Sequence, residues 1–351
     1  MKRVGILGLP GAGKTTLFEV LMQGAGTPPP AGASREHVGV VRVPDERMDR
    51  LWDLFHPKKT TFTQIQFVDS AAAGHASGRP GKGTDLFQGV RECDTLVAVV
   101  RDFENPAVPI EGGVNPERDL RSLETELLLN DLAIVETRME RIAKELRVGN
   151  KQGEQEHALL ARCHQLLESE KPLRAAALDP EEARRLRGFQ LLTQKPLLVV
   201  YNQDERSTRT PADPGAQAVA LALRAHLEAE IVALPPEERS AYRRELGIEQ
   251  DGLTLVIRAC YHLLGLISFF TVNEDELHCW TLTRGETAVD AAREIHTDLA
   301  RGFIRAEVID WKTLLERGGH APARAAGALR LEGRDYVVED GDCLVIRFNR
   351  T

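Results

Sequence analysis

Two periodicities divide the chain. Short apolar runs, each about the length of a buried strand, lie at residues 4–8 (VGILG) and 197–200 (LLVV), and Ile65, Phe67 and Val68 make a third, interrupted only by Gln66. Runs of this kind, bounded by glycine, charged or amide residues, suit parallel strands covered on both faces. After the first run, "KTTLFEVLMQG" places Leu17, Phe18, Val20 and Leu21 on one helical face. From 119 to 146 the pattern is helical throughout: Val135, Met139, Ile142 and Leu146 recur at three- and four-residue steps, with Arg138, Arg141 and Lys144 between them. Gly149 and Gly153 break that helix, and Leu159, Leu160, Cys163, Leu166 and Leu167 predict a second one, so the pair reads as an antiparallel helical hairpin. "LDPEEARRL" predicts a third helix, with Asp179 as its cap and Pro180 in its first turn. "TPPPAGAS" (27–34) is a loop, because three prolines forbid a helix, and "STRTPADPGAQ" (207–217) is a surface linker. Beyond residue 270 the elements alternate: "ELHCWTL" a strand, "TAVDAAREIHTDLARGFI" a helix, "AEVID" a strand, and "RDYVVEDGDCLVIRFN" two strands about an Asp340-Gly341 turn.

Composition narrows the function classes. Of 351 residues 42% are hydrophobic and 28% charged, an ordinary globular balance with room for two or three domains. Lys and Arg number 45 against 53 Asp and Glu, a net charge of −8, which excludes broad electrostatic wrapping of nucleic acid. Any RNA contact at the C-terminal end would come from a local cluster such as Arg301 and Arg305, which read equally well as a solvated helix end. The five cysteines show no C-x-x-C pair, which argues against a zinc site or a disulfide framework and fits a reducing cytoplasm. No basic-then-apolar leader and no membrane-crossing run is expected.

The chemistry is concentrated near the N-terminus. Gly8-Leu-Pro-Gly-Ala-Gly13-Lys14-Thr15 is a G-x-x-x-x-G-K-[ST] phosphate loop, set between a strand and a helix as its mechanism requires. Gly8, Gly11 and Gly13 let the backbone curl so that its N–H groups act as donors, and Gly8, Pro10, Gly11, Ala12, Gly13, Lys14, Thr15 and Thr16 are the candidate nucleotide-binding residues. Lys14 is expected at the β/γ-phosphates, as a catalytic charge, and Thr15 on Mg²⁺. Asp69 ends the strand "IQFVD" and is the expected second metal residue, with a turn cap as the plainer reading.

The strand at 197–200 ends in Asn202-Gln203-Asp204-Glu205, where GTP-binding proteins carry N-K-x-D. Gln203 replaces the lysine that packs along the base, and Glu205 replaces the aspartate that pairs with guanine. The extra methylene displaces the carboxylate, whereas an asparagine amide can match adenine, so Asn202, Gln203 and Glu205 favour ATP. Asp204 in a shifted register would read guanine, and GTP stays open.

Several segments together resemble the Obg-like ATPase (YchF) family: "GILGLPGAGKTTLFEVL", "VGVVRVPDERMDRL", "FENPAV…VNPERDLRSLETELLLNDLAIVETRMERI", the Asn202-x-x-Glu205 element, "LGIEQDGLTLVIRACYHLLGLISFF" and "ARGFIRAEVIDW…AGALRLEGRDYVVEDGDCLVIRFN". The resemblance implies an α/β Ras-like P-loop domain (1–118 and 195–268), an inserted α-helical coiled-coil hairpin (119–194) and a C-terminal α+β domain of β-grasp (TGS) type (269–351). It also implies a preference for ATP, slow hydrolysis with Mg²⁺ and association with ribosomes or ribosomal RNA; the oligomeric state is open, with a monomer the expectation. Glu228 matches a family glutamate and reads as structural, near the base-binding rim.

Departures from the family fall on hydrolysis. Ala72 stands where members carry the glycine of D-x-x-G, Ala33 or Ser34 stands near the switch threonine, and Pro109 aligns with a loop histidine. Ser34 is the remaining candidate for a third metal contact. His75, six residues beyond Asp69, is the candidate to align water, against the plainer reading of a solvated loop histidine. Three readings therefore stand: a slow Mg²⁺-dependent ATPase acting as a switch on translation, a nucleotide sensor with little turnover, and a GTPase.

Overall fold

The computed structural model describes residues 1–26, 37–69, 87–147, 153–215, 217–248 and 250–349. Contacts divide the chain into two units, residues 1–41 with 66–263 and residues 42–65 with 264–351.

In the first unit the apolar runs become a six-stranded sheet. Its strands are β1 (Lys2–Leu7), β2 (His37–Arg42), β4 (Gln64–Asp69), β5 (Thr95–Asp102), β6 (Leu197–Gln203) and β7 (Ala218–Leu223), in the order β2-β4-β1-β5-β6-β7. β1 pairs with β5, β5 with β6 and β6 with β7, all parallel. Every residue of β5 and β6 is buried, which is why their centres, Leu96–Val100 and Leu197–Tyr201, are continuously apolar rather than alternating. β1 lies between β4 and β5, with β2 and β4 to one side and β5 to β7 to the other, so the chain changes direction there and the carboxyl ends beside β1 form the crevice where open α/β sheets place ligands.

The first helix, α1 (Lys14–Gly24), starts directly after the phosphate loop and buries Leu17, Phe18, Val20, Leu21 and Met22. Opposite it, Leu7, Val68, Ala98, Val100, Val199 and Tyr201 pack with Leu123 and Leu127 of a helix that runs from Pro116 to Arg147. At 32 residues that helix is about 48 Å long and projects well beyond the sheet. It pairs with Glu154–Glu168 around Val135, Ile142, Leu160, Cys163 and Leu167, the expected hairpin. Gly153 enters the second helix where a Cβ would lie 2.7 Å from Ile142 Cγ2, so a side chain there would push the hairpin apart. Asp131, fully buried, accepts from the Leu192 and Thr193 amides (2.9 and 2.7 Å) and fixes the arm to the approach of β6. Asp179 and Glu182 close a capping box on Pro180–Leu186, the expected third helix.

The second unit has its own sheet, ordered β11-β10-β12-β8-β9-β3. Its strands are β3 (Lys59–Thr61), β8 (Leu266–Val272), β9 (Glu276–Thr283), β10 (Phe303–Asp310), β11 (Arg330–Glu332) and β12 (Asp342–Phe348). One face packs Ala288, Ala291 and Ala292 of helix Ala288–Ile295 against Phe269, Leu282 and Val308. The other packs Met48 and Leu51 of helix Glu46–Phe55, with Leu314 and Ala323, against Phe270, Leu277 and Cys343. Residues 42–65 thus supply this unit with an edge strand and a helix.

Two local expectations change here. The single helix predicted over "TAVDAAREIHTDLARGFI" is two, because His296 is extended (φ −166°, ψ 140°) and its Nδ1 accepts from the Asp298 amide to cap Thr297–Arg301. The predicted hairpin about Asp340-Gly341 has only its second strand. Residues 336–338 spend their backbone bonds on the 286–288 segment instead, with Ala288 N donating to Tyr336 O and Val338 N to Glu286 O.

Candidate functional site

Four strand ends of the first unit converge. Gly8 follows β1, Asp69 closes β4, Asp102 closes β5, and Asn202 and Gln203 close β6. The phosphate loop is shaped by its glycines: Gly8, Gly11 and Gly13 have φ of 152°, 75° and 95°. A Cβ on Gly8 would lie 2.3 Å from Val99 O, and one on Gly13 2.3 Å from Asn202 Nδ2. Gly13 is the N-cap of α1, with no side-chain cap and no acidic residue in the first turn. The helix start therefore keeps its positive end and amide donors turned to an anion, across Ala12, Gly13, Lys14, Thr15 and the exposed Thr16. Pro10 and Gly11 form the exposed crest of the turn.

The Lys14 ammonium donates to Leu9 O at 3.0 Å. Burial pushes its pKa below the ordinary lysine value, and the Asp69 carboxylate pulls partly the other way. The Thr15 hydroxyl donates to Asp69 Oδ2 at 3.0 Å, and Asp69 is fully buried. A hydroxyl and a carboxylate oxygen so placed fit a hard cation such as Mg²⁺. Among the described residues no three His, Cys, Asp or Glu side chains gather as a metal cluster. That too suits Mg²⁺, which keeps waters and phosphate oxygens as its remaining ligands. Ser34 and His75, the other candidate metal and catalytic residues, lie outside the described residues, as does Ala72.

Beside the loop lies a cavity of about 630 Å³ between Gly13 and Thr16, the 103–106 segment, the 202–206 turn and Ala225–Leu227. Asn202 is a clamp: its Nδ2 donates to Ala12 O and its Oδ1 accepts from Ala225 N, both at 3.1 Å. It joins the phosphate loop to the start of the helix Ala225–Ala233. Gln203 also lines the cavity, but its amide nitrogen is spent on Asp102 Oδ2 (2.9 Å) and Arg209 O (2.8 Å). Asp204, which lines the cavity, accepts through Oδ1 from the amides of Arg206 and Ser207, both at 2.9 Å, and so closes its own turn with one of its two oxygens. Glu205 is exposed on the cavity rim. Glu228 lies behind, with Oε1 accepting from Gly252 N (3.0 Å) and Oε2 from Arg243 (3.1 Å), in the structural place expected of it.

Sequence reasoning did not single out Asp102 or Arg101. Asp102 accepts from Gln203, Ser207 and Arg209 together, and Arg101 is buried under the 103–108 segment. The available signal was two opposite charges ending a strand, "TLVAVVRD", that is otherwise buried throughout.

Residues 266–349 match the family model described as "YchF-GTPase_C: Protein of unknown function (DUF933)". Over nearly its whole length the chain is similar to proteins named ribosome-binding ATPase YchF. The Bacillus subtilis protein is 37% identical, covering 98% of both chains, and that of Escherichia coli O157:H7 is 38% identical, covering 99% of both. A solved structure, that of the Schizosaccharomyces pombe YchF GTPase, superposes with a TM-score of 0.85 at 29% identity, over 99% of this chain and 97% of the other.

Proposed function

This chain belongs to the YchF family, and from that premise we propose that it is a slow, Mg²⁺-dependent ATPase whose nucleotide state acts on ribosomes in the cytoplasm. The observation that carries the reading is the joined pair at the phosphate loop, with Lys14 poised at Leu9 O and Thr15 bonded to the buried Asp69. Bound there, Mg²⁺ would neutralise phosphate charge, held by Thr15 and Asp69. Lys14 would leave Leu9 for the phosphates and favour the charge that builds as the terminal phosphoryl group departs. The amides of residues 11–16 would orient the chain of phosphates along the helix axis.

Adenine is favoured by what each polar group beyond the strand has left to offer. Asp204 has one carboxylate oxygen tied to its own turn, which makes it a poorer paired guanine reader and supports the ATP reading, while its other oxygen keeps the GTP alternative open. Asn202 keeps one amide proton and a carbonyl lone pair beyond its two bonds, and Glu205 is the rim carboxylate. Slow turnover is what the family resemblance implies, and Ala72 and Pro109, which depart from the family pattern, favour the alternative of a nucleotide sensor with little hydrolysis.

The test is displacement of a fluorescent nucleotide by ATP and by GTP, with turnover of each measured with and without Mg²⁺ on the same sample. ATP is expected to displace at the lower concentration and to be hydrolysed only with Mg²⁺. Displacement by GTP at equal or lower concentration would mark a GTPase, and tight ATP binding without turnover a sensor. Pelleting with ribosomes that changes between ATP and ADP is the expected sign of the switch.

A further inference from the structure

Arg101 is a buried cation, 2% exposed, on a strand end beneath the phosphate loop. Among the described residues its hydrogen bonds go to backbone carbonyls of one short segment: Nε to Phe103 (3.0 Å), Nη1 to Val108 (2.8 Å) and Nη2 to Asn105 (3.4 Å). Its plane also lies over the Phe103 ring, 4.7 Å from the centroid. Among the described residues no carboxylate hydrogen-bonds to it. A buried guanidinium left without an anion is costly, so the arrangement persists only where the fork does something its neighbours need.

The segment it holds meets the site on two sides. Residues Phe103–Pro106 form one wall of the 630 Å³ cavity, facing Asp204–Arg206. Val108 lies against the phosphate loop, where a Cβ on Gly11 would be 3.2 Å from Val108 Cγ1 and 3.4 Å from Arg101 Nη1. Asn105 Oδ1 accepts from Ala107 N at 3.0 Å and completes the turn from within.

We propose that Arg101 is a positioning residue, whose planar fork sets the 103–108 segment as the wall that receives the base and ribose of the nucleotide. The proposal rests on the reading of this cavity as the nucleotide site. It separates the two ends of the ligand. The phosphates are held by the glycine turn and Lys14, whereas the nucleoside depends on a wall that only a five-donor fork can hold in this shape. Lysine keeps the charge but has one nitrogen, and cannot reach three carbonyls spread over six residues.

The test is calorimetric binding of Mg·ATP, AMP and Mg·tripolyphosphate to the wild type and to Arg101→Lys. In the variant, ATP and AMP are expected to weaken about tenfold, and tripolyphosphate to stay within about twofold. Unchanged ATP binding, or a parallel loss of tripolyphosphate, would overturn the proposal, since general damage or a charge effect would weaken both ends. If Arg101→Lys does not fold, Asn105→Ala loosens the same wall without touching the guanidinium. The same selective loss is then expected, smaller in size, and an equal loss for all three ligands, or none, counts against the proposal. A wild type that binds neither ATP nor tripolyphosphate would instead remove the nucleotide-site reading itself.

Discussion

Lys14 and Arg47 are both largely buried cations laid down within the first fifty residues, yet the two units treat them in opposite ways. Lys14 has one hydrogen bond, to a backbone carbonyl, and burial leaves its pKa lowered. Arg47 grips Asp45 through Nε and Nη2 (2.8 and 2.7 Å) and Asp340 through Nη1 and Nη2 (3.0 and 3.2 Å), over the Phe270 ring. Burial alone would lower its pKa too, but the two carboxylates outweigh burial and raise it. Asp340 in turn accepts from Ser268 N, so the guanidinium ties the helix Glu46–Phe55 to β8 and the turn before β12. The difference teaches how to tell a staple from a site. Arg47, whose anionic partners are all supplied by the chain, holds structure. Among the described residues Lys14, with no carboxylate hydrogen bond at the start of α1, has donors left for a ligand, whereas Arg101, equally without one, spends its donors on backbone carbonyls.

The sharpest way to break this contrast is to remove each cation in turn. Lys14→Ala is expected to lower ATP turnover by about 100-fold or more, the scale of losing a charge that serves the transition state, with the melting temperature unchanged or raised. A proportional loss of stability would make Lys14 a staple after all. Arg47→Met is expected to do the reverse. It should destabilise the protein by about 2–3 kcal/mol in urea, toward the lower end for a half-buried pair left with unpaired carboxylates, and leave ATP affinity within about twofold. A smaller effect comes from pH. Bound triphosphate favours the ammonium, so the pKa of Lys14 is higher with ligand than without it. ATP affinity is therefore full below the lowered ligand-free value and falls as pH rises through it toward the ligand-bound one. Titration from neutral to alkaline pH should show a several-fold loss that Lys14→Arg abolishes. A flat wild-type profile would mean that the Lys14 charge is not felt by the ligand.

The phosphate loop was legible because its chemistry is local. Three glycines, a lysine and a threonine between a strand pattern and a helix pattern leave few alternatives, and Gly8, Gly11 and Gly13 take the positive φ values that such a turn asks of glycine. Asp69 was legible as a strand end, and its bond to Thr15 needed only the sheet to bring the two together. The roles after β6 were not legible. Asn202, Gln203, Asp204 and Glu205 are all polar, and only the fold decides that the first clamps Ala12, the second turns to Asp102 and the third closes its own turn. The hairpin about Asp340-Gly341 failed for a related reason. The alternation in "DYVV" is real, but its backbone found the 286–288 segment before it found β12. Nor does anything in "RVPDERMDRLWDLFHPKKTTFTQI" mark it as part of another unit's sheet, since its register with Glu276–His278 is set more than two hundred residues later.

That last feature carries a temporal cost. The backbone passes from one unit to the other after residues 41, 65 and 263, so Arg42–Ile65 is made long before the strands that will shelter it. At about 5–20 residues per second, synthesis of the intervening stretch takes roughly 10–40 s. Throughout that interval Met48 and Leu51 have no β-sheet to cover them. The nascent nucleotide-binding unit must therefore emerge carrying an unsatisfied apolar loop, and a fragment cut at residue 263 would keep that loop permanently. Chain-release timing and truncation design for this protein are governed by a 24-residue excursion near the start, not by the last linker.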